Sequence, residues 1–181
     1  QPSKRRVGRY RIMKTRAHAA HILADVLFDG VSLQIPADHP ERALLQELCF
    51  GTCRWFFYLD DLLSQLLNKP LPKKEKPVHA LLLTGLYQLI YMDKPAHACI
   101  NETVNALKDL KASWAKGLVN AVLRNFTRKQ ASLNNNKSHA HPDWLRSRIQ
   151  NAWPEKTKQI MDANNARPPM VLRVNVKLNT Q

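Results

Sequence analysis

The segment from Lys116 to Phe126 combines side chains that could bind a phosphate backbone with side chains suited to a core. Lys116, Asn120 and Arg124 fall on one arc of a helix, where cations and an amide could contact RNA phosphates and bases. A solvated helix face is the plainer interpretation of the same spacing. At about 100° per residue, the apolar side chains fall on the opposite arc: Leu118, Val119, Val122, Leu123 and Phe126.

The charge of the chain favours an RNA-binding interpretation of that arc. The 181 residues include 28 Lys and Arg against 14 Asp and Glu, a net charge of +14. Such an excess favours nucleic acid as a partner, before an anionic membrane surface. Residues 1–16 have a net charge of +7, residues 17–67 of −5 and residues 68–181 of +12. Residues 1–16 therefore supply the first predicted RNA contacts: Lys4, Arg5, Arg6, Arg9, Arg11, Lys14 and Arg16.

Arg54 is one of two basic residues in the acidic middle of the chain, and four aromatic residues follow it. Cations beside aromatic rings are typical of surfaces on which bases stack. We therefore predict Arg54 as a further RNA contact. An ion pair with Glu47, Asp60 or Asp61 is the alternative, and the aromatic rings are more simply explained as core.

The sequence predicts no catalytic, cofactor or metal site. Cys49 and Cys53 lie four residues apart, but a metal site needs about four ligands, and the nearest histidine in sequence is His39. The five glycines form no Gly-x-Gly, which excludes the usual dinucleotide fingerprint and phosphate-binding loop.

Three cysteines are too few for a disulfide framework, which indicates a reduced cytosolic protein. No apolar run approaches the roughly 18 residues that span a bilayer. An organelle transit peptide is an alternative explanation of the arginine-rich start.

The predicted fold is all-α, because apolar periodicity indicates about six helices over residues 15–130. Residues 68–77 contain three prolines and four lysines and must be a loop between two helical halves. The most apolar segment follows this loop, from Val78 to Met92, and should be a central buried helix. Gly30 is expected to end the first helix, Asp38 to cap the second, and Ser113 to cap the helix that contains Lys116.

Three glycines lie inside helical patterns, where glycine costs about 1 kcal/mol relative to alanine. We predict close helix–helix contact at Gly51, Gly85 and Gly117. At Gly117, backbone N–H groups exposed to a phosphate are the alternative.

After residue 130 the sequence predicts a linker, two short helices and a strand. Residues 131–140 are polar and form a predicted linker after a domain at 15–130 and an arm at 1–14. Pro142 should begin a short helix, and a second short helix should reach about Asn164. Residues from Met170 to Leu178 alternate between the two faces of a strand. Because a lone strand is not stable, residues 141–181 are predicted to begin a further, truncated domain.

Four segments, in the same order along the chain, resemble one family. These are Leu44–Gly51, Thr84–Leu89, Lys116–Arg124 and Asn164–Met170. Over residues 15–181 the chain resembles the N-terminal region of the bacterial small-subunit ribosomal RNA cytosine-5 methyltransferases, the RsmB (Sun or Fmu) family. The first fourteen residues lie outside the resemblance.

The resemblance implies a NusB-like RNA-binding domain of two small helical bundles, followed by short helices and the first strand of a truncated α+β RNA-binding module. It also implies small-subunit ribosomal RNA as the partner, contact with a methyltransferase domain of the same protein, and a bacterial cytoplasmic location. Enzymes of this family use S-adenosylmethionine and two cysteines in Pro-Cys and Thr-Cys motifs of a C-terminal Rossmann-like domain. The catalytic role is not carried onto Cys49, Cys53 or Cys99, and the methyl-donor site is expected to lie outside this chain.

Two other functions remain open at this point. The first is a free-standing NusB-like transcription antitermination factor, which should end near residue 130–140, so the segment Asn164–Leu178 discriminates against it. The second is a structural bundle whose acidic middle docks a basic partner. Salt-dependent RNA binding would distinguish the RNA-binding part of a methyltransferase from this bundle. Oligomeric state is not predicted.

Overall fold

The regular structure is helical throughout the residues that this computed structural model describes, which are 13–133, 140–166, 169 and 171–173. The predicted all-α fold is confirmed. Short 3₁₀ turns at Lys73–Glu75, Ser113–Ala115 and Pro154–Lys156 precede the helices that begin at Lys76, Lys116 and Thr157. The helices are α1 (Thr15–Asp29), α2 (Arg42–Arg54), α3 (Phe56–Leu66), α4 (Lys76–Tyr91), α5 (Ala96–Asp109), α6 (Lys116–Lys129), α7 (Asp143–Ala152) and α8 (Thr157–Asn165).

Helix α4 is the centre of the fold, as its apolar sequence predicts. Val78 and residues 80–88 are all buried, and α1, α2, α3, α5 and α6 each pack against it. Pro77 is tolerated because the first turn of a helix leaves its N–H groups without an intrahelical acceptor. The helices before α4 (α1–α3) and after it (α5–α6) also contact each other, α1 with α5 and α3 with α6. The buried side chains of all six helices form one continuous core.

Two of the helical glycines allow this close packing, and one does not. A Cβ at Gly51 would lie 2.0 Å from Cζ of Tyr87, and a Cβ at Gly85 would lie 2.9 Å from Cδ1 of Leu123. The predicted close contacts are therefore confirmed at α2–α4 and α4–α6. The same prediction for Gly117 is wrong, because a Cβ there would meet nothing within 4 Å.

Helix ends were predicted less well than helix interiors. Gly30 does end α1 in the left-handed conformation, at φ 67°. Asp38 does not cap α2, which begins at Arg42 with Glu41 beside it. The Glu41 carboxylate accepts a hydrogen bond from the Thr15 hydroxyl, which joins the start of α2 to α1. Ser113 lies in the 3₁₀ turn before α6, and its side chain does not cap that helix.

Helices α7 and α8 form a small hairpin, in agreement with the two short helices predicted. Ile149 and Met161 are its buried apolar side chains, and neither belongs to the main core. Trp144 and Trp153 are exposed. The predicted strand Met170–Leu178 lies mostly outside the described residues, and residues 171–173, which are described, form no strand.

Candidate nucleic-acid interface

Helix α6 presents a buried face and a cationic face, as its periodicity predicts. Val119, Val122, Leu123 and Phe126 are buried, and Leu118 is half-buried. Because these apolar residues recur every three to four positions, the polar residues are left on the outward side. Helix α6 contains four basic residues and no acidic one, so its outward side carries only positive and neutral side chains.

The predicted contacts on α6 lie together on that outward side. Lys116 and Arg124 are exposed, and Asn120 is half-buried between them. Nε of Arg124 donates a hydrogen bond to Oδ1 of Asn120 at 2.9 Å. This bond uses the Nε–H of Arg124, and the Nη groups remain as donors that suit a phosphate.

The turn between α5 and α6 extends this positive surface. Ala112 N donates to Leu107 O at 2.9 Å and Lys111 N donates to Lys108 O at 3.2 Å, which is the Schellman arrangement at a helix C-terminus. Lys111 occupies the left-handed position of that motif at φ 55°, where glycine is usual. Trp114 follows in the 3₁₀ turn and is 59% exposed. We call residues 108–116 the α5–α6 corner; it carries three lysines and an exposed aromatic ring.

The root of the N-terminal arm is attached to the same corner. The backbone N–H of Lys14 donates to Oδ2 of Asp109 at 2.9 Å, and Asp109 is the last residue of α5. The arm therefore leaves the helical domain beside the corner that leads into Lys116. Five of its predicted RNA contacts lie outside the described residues: Lys4, Arg5, Arg6, Arg9 and Arg11.

Arg16 differs from the other predicted contacts because its guanidinium is already engaged in the domain. Nε donates to Oε1 of Gln88 at 2.8 Å, and Nη1 lies 3.5 Å from Oε2 of Glu102. Gln88 is fully buried and its amide also donates to Oγ1 of Thr103 at 3.3 Å. This network joins α1, α4 and α5. Its geometry supports a structural role for Arg16, and the RNA contact stays a prediction.

Arg54 lies on a different side of the molecule from α6. Gly51 of α2 faces Tyr87, whereas Leu123 of α6 faces Gly85. Gly85 and Tyr87 are two positions apart on α4, which is about 200° of helix rotation, so α2 and α6 pack on nearly opposite faces. Arg54 is exposed and forms none of the predicted ion pairs with described residues. The structure therefore does not bring it together with the α6 contacts.

The acids considered as partners for Arg54 have other partners. Glu47 accepts a hydrogen bond from the Tyr87 hydroxyl at 2.5 Å, and Asp60 lies 2.7 Å from Nε2 of His79. Asp61 accepts from the Gln65 amide at 3.1 Å. The exposed rings nearest to Arg54 in sequence are Phe50 and Phe57.

The cysteines lie in surroundings that disfavour thiolate chemistry. Cys49 is buried and Cys53 is half-buried, and burial raises the pKa of both thiols, that of Cys53 to about 11. Thr52 and Cys53 form one Thr-Cys dipeptide. Thr52 is fully buried in α2, however, so this pair is part of the core. In the described part of the chain, no group of three His, Cys, Asp or Glu side chains could hold a metal ion.

Trp114, Lys108 and Lys111 were missed as candidate contacts from sequence. The available signal was an aromatic residue flanked by lysines between two helices. It was weak because nothing in the sequence shows whether that tryptophan points into the core.

Among the described residues, no helix is both long and apolar enough to cross a membrane.

Comparison with known proteins decides the family of this helical domain. Residues 13–128 match the NusB family, and this match covers more than half of the chain. The chain belongs to the NusB family. The NusB-family domain thus includes α1 to α6 and carries the α6 surface and the corner described above. Residues 141–181 match a second family, the RsmF/B-like methyltransferase ferredoxin-like domain.

Individual relatives match both parts of the chain. It is 49% identical over 172 residues to "Ribosomal RNA small subunit methyltransferase B" of Sodalis glossinidius, covering 88% of this chain and 40% of the relative. The protein of the same name from Proteus mirabilis is 46% identical over 172 residues, covering 88% and 41%. That from Pasteurella multocida is 46% identical over 180 residues, covering 93% and 40%. The NusB-family chain therefore spans about two fifths of the length of these bacterial relatives.

Proposed function

We propose that this chain is the RNA-recognising, non-catalytic part of a methyltransferase that modifies C5 of a cytosine in small-subunit ribosomal RNA. The observation that carries the proposal is the acid-free cationic face of α6, next to the arm root and the exposed Trp114. The names of the relatives supply the class of RNA. In this proposal the chain holds ribosomal RNA in position while a domain outside it performs the methyl transfer.

The methyl donor of the proposed reaction is S-adenosylmethionine. The described residues do not fit it: they contain no strand leading into a glycine-rich turn that could cradle the donor. We therefore assign the donor to the part of the relatives' length that this chain does not span. A contact between that part and this chain is also proposed, within one bacterial cytoplasmic protein.

A free-standing antitermination factor is the second candidate, because residues 13–128 alone match the NusB family. The match of residues 141–181 to a methyltransferase module favours the first proposal over it.

The α6 face is tested by replacing Lys116 and Arg124 together with alanine. With a labelled fragment of small-subunit ribosomal RNA, fluorescence anisotropy should show about tenfold weaker binding at moderate salt. The slope of log affinity against log salt should fall by about 1.4 for single-stranded contacts, because two phosphate neutralisations are lost. Both side chains are exposed, so the thermal midpoint should hardly change.

A double variant of Lys73 and Lys74 is the matched control, since both are exposed and lie outside α6 and the corner. It removes the same charge elsewhere in the domain. Equal losses in the two variants would mean that only net charge matters. An unchanged affinity for the α6 variant would reject α6 as the interface.

The arm is tested by deleting residues 1–12, which removes five predicted contacts and keeps the Lys14–Asp109 hydrogen bond. The salt slope should fall by as much as about 3.5, at about 0.7 for each cation on single-stranded RNA. A slope that stays at the full-length value would remove the arm from the interface.

A further inference from the structure

A groove lies beside the cationic face of α6. It runs between α6 and the segment that follows α3, and its volume is about 590 Å³. The side chains of Leu67 and Leu118 contribute to its apolar floor. Its rim is polar, with Asn68 and Lys69 on one side and Asn125 and Arg128 on the other. None of the described residues that line it is acidic.

The polar stripe of α6 leads to this groove. Residues four apart on a helix differ by about 40° in direction, so a row at such spacing winds slowly around the axis. Lys116, Asn120, Arg124 and Arg128 form such a row, and three steps turn it by about 120°. The row begins at Lys116, in the α5–α6 corner, and ends at Arg128, on the rim of the groove. An RNA strand that follows the cations therefore arrives at the groove.

The chemistry of the groove matches a nucleotide. An apolar floor can bury one face of a base, and side-chain amides can donate to and accept from the edge of a base. Two amides and two cations face each other across the opening, which would satisfy a base edge and its phosphate at once. Nε of Arg128 already donates to Arg124 O at 3.4 Å, which leaves its Nη groups for an anion.

We propose that this groove binds one unpaired nucleotide of the RNA held by α6. Its base lies on the apolar floor with its edge against Asn68 and Asn125. Its phosphate lies between Lys69 and Arg128. The site takes a single-stranded or flipped-out residue, because a base paired within a duplex cannot reach the floor. This inference rests on the proposed RNA-binding function and adds a subsite to it.

The test uses a labelled short single-stranded oligoribonucleotide of mixed sequence and a second probe with the same backbone but no bases. The wild-type chain should bind the base-bearing probe about tenfold more tightly, because burial of one face of a base on leucine side chains and hydrogen bonds to its edge together contribute on this order. Ala121→Trp fills the groove without changing charge, since Ala121 is exposed and lines it. This variant should lose the preference for bases and keep its affinity for the base-free probe.

Asn105→Trp is the matched control, because Asn105 is an exposed neutral position on α5 outside the groove. It should bind both probes as the wild type does. A second variant, Asn68→Ala with Asn125→Ala, should also weaken binding of the base-bearing probe alone. Circular dichroism and thermal midpoints establish that each variant is folded.

The outcomes separate this inference from the function on which it rests. If Ala121→Trp binds both probes like the wild type, the groove takes something other than RNA, such as a polypeptide segment, and the inference is wrong. If it weakens both probes equally, the groove contacts phosphate only, and the nucleotide subsite is rejected. If the Lys116 and Arg124 double variant binds both probes normally while Ala121→Trp does not, the α6 interface fails and the groove stands.

Discussion

Helices α4 and α6 touch at Gly85 and Leu123, yet their surroundings differ completely. Helix α4 packs against five other helices, so the size and shape of nearly all its side chains are fixed by packing. Helix α6 packs against other helices on one side only, and its outward side is distinguished by its basic residues. Under the proposed function, stability and RNA binding therefore depend on separate faces of these helices. Interior substitutions should change the free energy of unfolding, and outward ones should change affinity.

The largest expected effect is in the interior, at Gly51. Alanine there would place Cβ 2.0 Å from the Tyr87 ring, and relieving that overlap requires α2 and α4 to separate or Tyr87 to leave its position. We expect Gly51→Ala to lower the free energy of unfolding by about 3 kcal/mol. Urea unfolding measures this loss, and RNA affinity of the folded fraction should not change.

Gly117→Ala is the matched control on the outward face. Its Cβ would meet nothing, so the higher helix propensity of alanine should raise stability by about 1 kcal/mol or slightly less. Destabilisation of similar size in both variants would contradict the contrast between the two faces.

The second interior effect depends on pH. His18 is buried, and its desolvation, with repulsion from His39 and His21, lowers its pKa to about 4. In the unfolded chain the pKa is about 6.5, so the unfolded state binds more protons between these two values. The free energy of unfolding should therefore be highest above about pH 6.5 and fall, by at most about 3 kcal/mol, as the pH drops to about 4.

Urea unfolding at a series of pH values measures this slope. His18→Gln cannot titrate and should flatten it, whatever its stability at neutral pH. His97→Gln, at an exposed position, should keep the wild-type slope. A slope that survives in His18→Gln would assign the acid sensitivity to other groups.

The smallest effect concerns Lys111, where the left-handed backbone favours glycine and the positive charge of the corner favours lysine. A left-handed backbone costs a lysine about 1 kcal/mol relative to glycine, so Lys111→Gly should raise the free energy of unfolding by about that amount. The same change removes a cation of the corner and should weaken RNA binding about threefold. Lys111→Arg keeps both the charge and the strain and should resemble the wild type. Unchanged RNA affinity in Lys111→Gly would remove this residue from the interface.

Elements with strong periodicity were predictable from the sequence, because burial alone decides them. The interior of α4 and the two faces of α6 are examples. Helix starts were less predictable, since Asp38 and Ser113 have the right chemistry for caps but the chain enters α2 and α6 through tertiary contacts and a 3₁₀ turn. Arg16 looked like part of a basic arm because sequence spacing does not reveal that Gln88 and Glu102 lie beside it.

The buried amide of Gln88 restricts the register in which α1, α4 and α5 can pack. Leucine-rich surfaces pack almost equally well in several registers, because one leucine replaces another when helices slide. Gln88 accepts from Arg16 of α1 and donates to Thr103 of α5, and both hydrogen bonds form in one alignment only. Within α4, Nε2 of Gln88 also donates to Thr84 O at 3.2 Å, and this bond would survive a shift by a turn. The buried Oε1 of Gln88 would lose Arg16, at a cost of about 1–3 kcal/mol for a buried acceptor without a donor. This polar contact thus selects a single arrangement of α1, α4 and α5 from many that hydrophobic burial would accept.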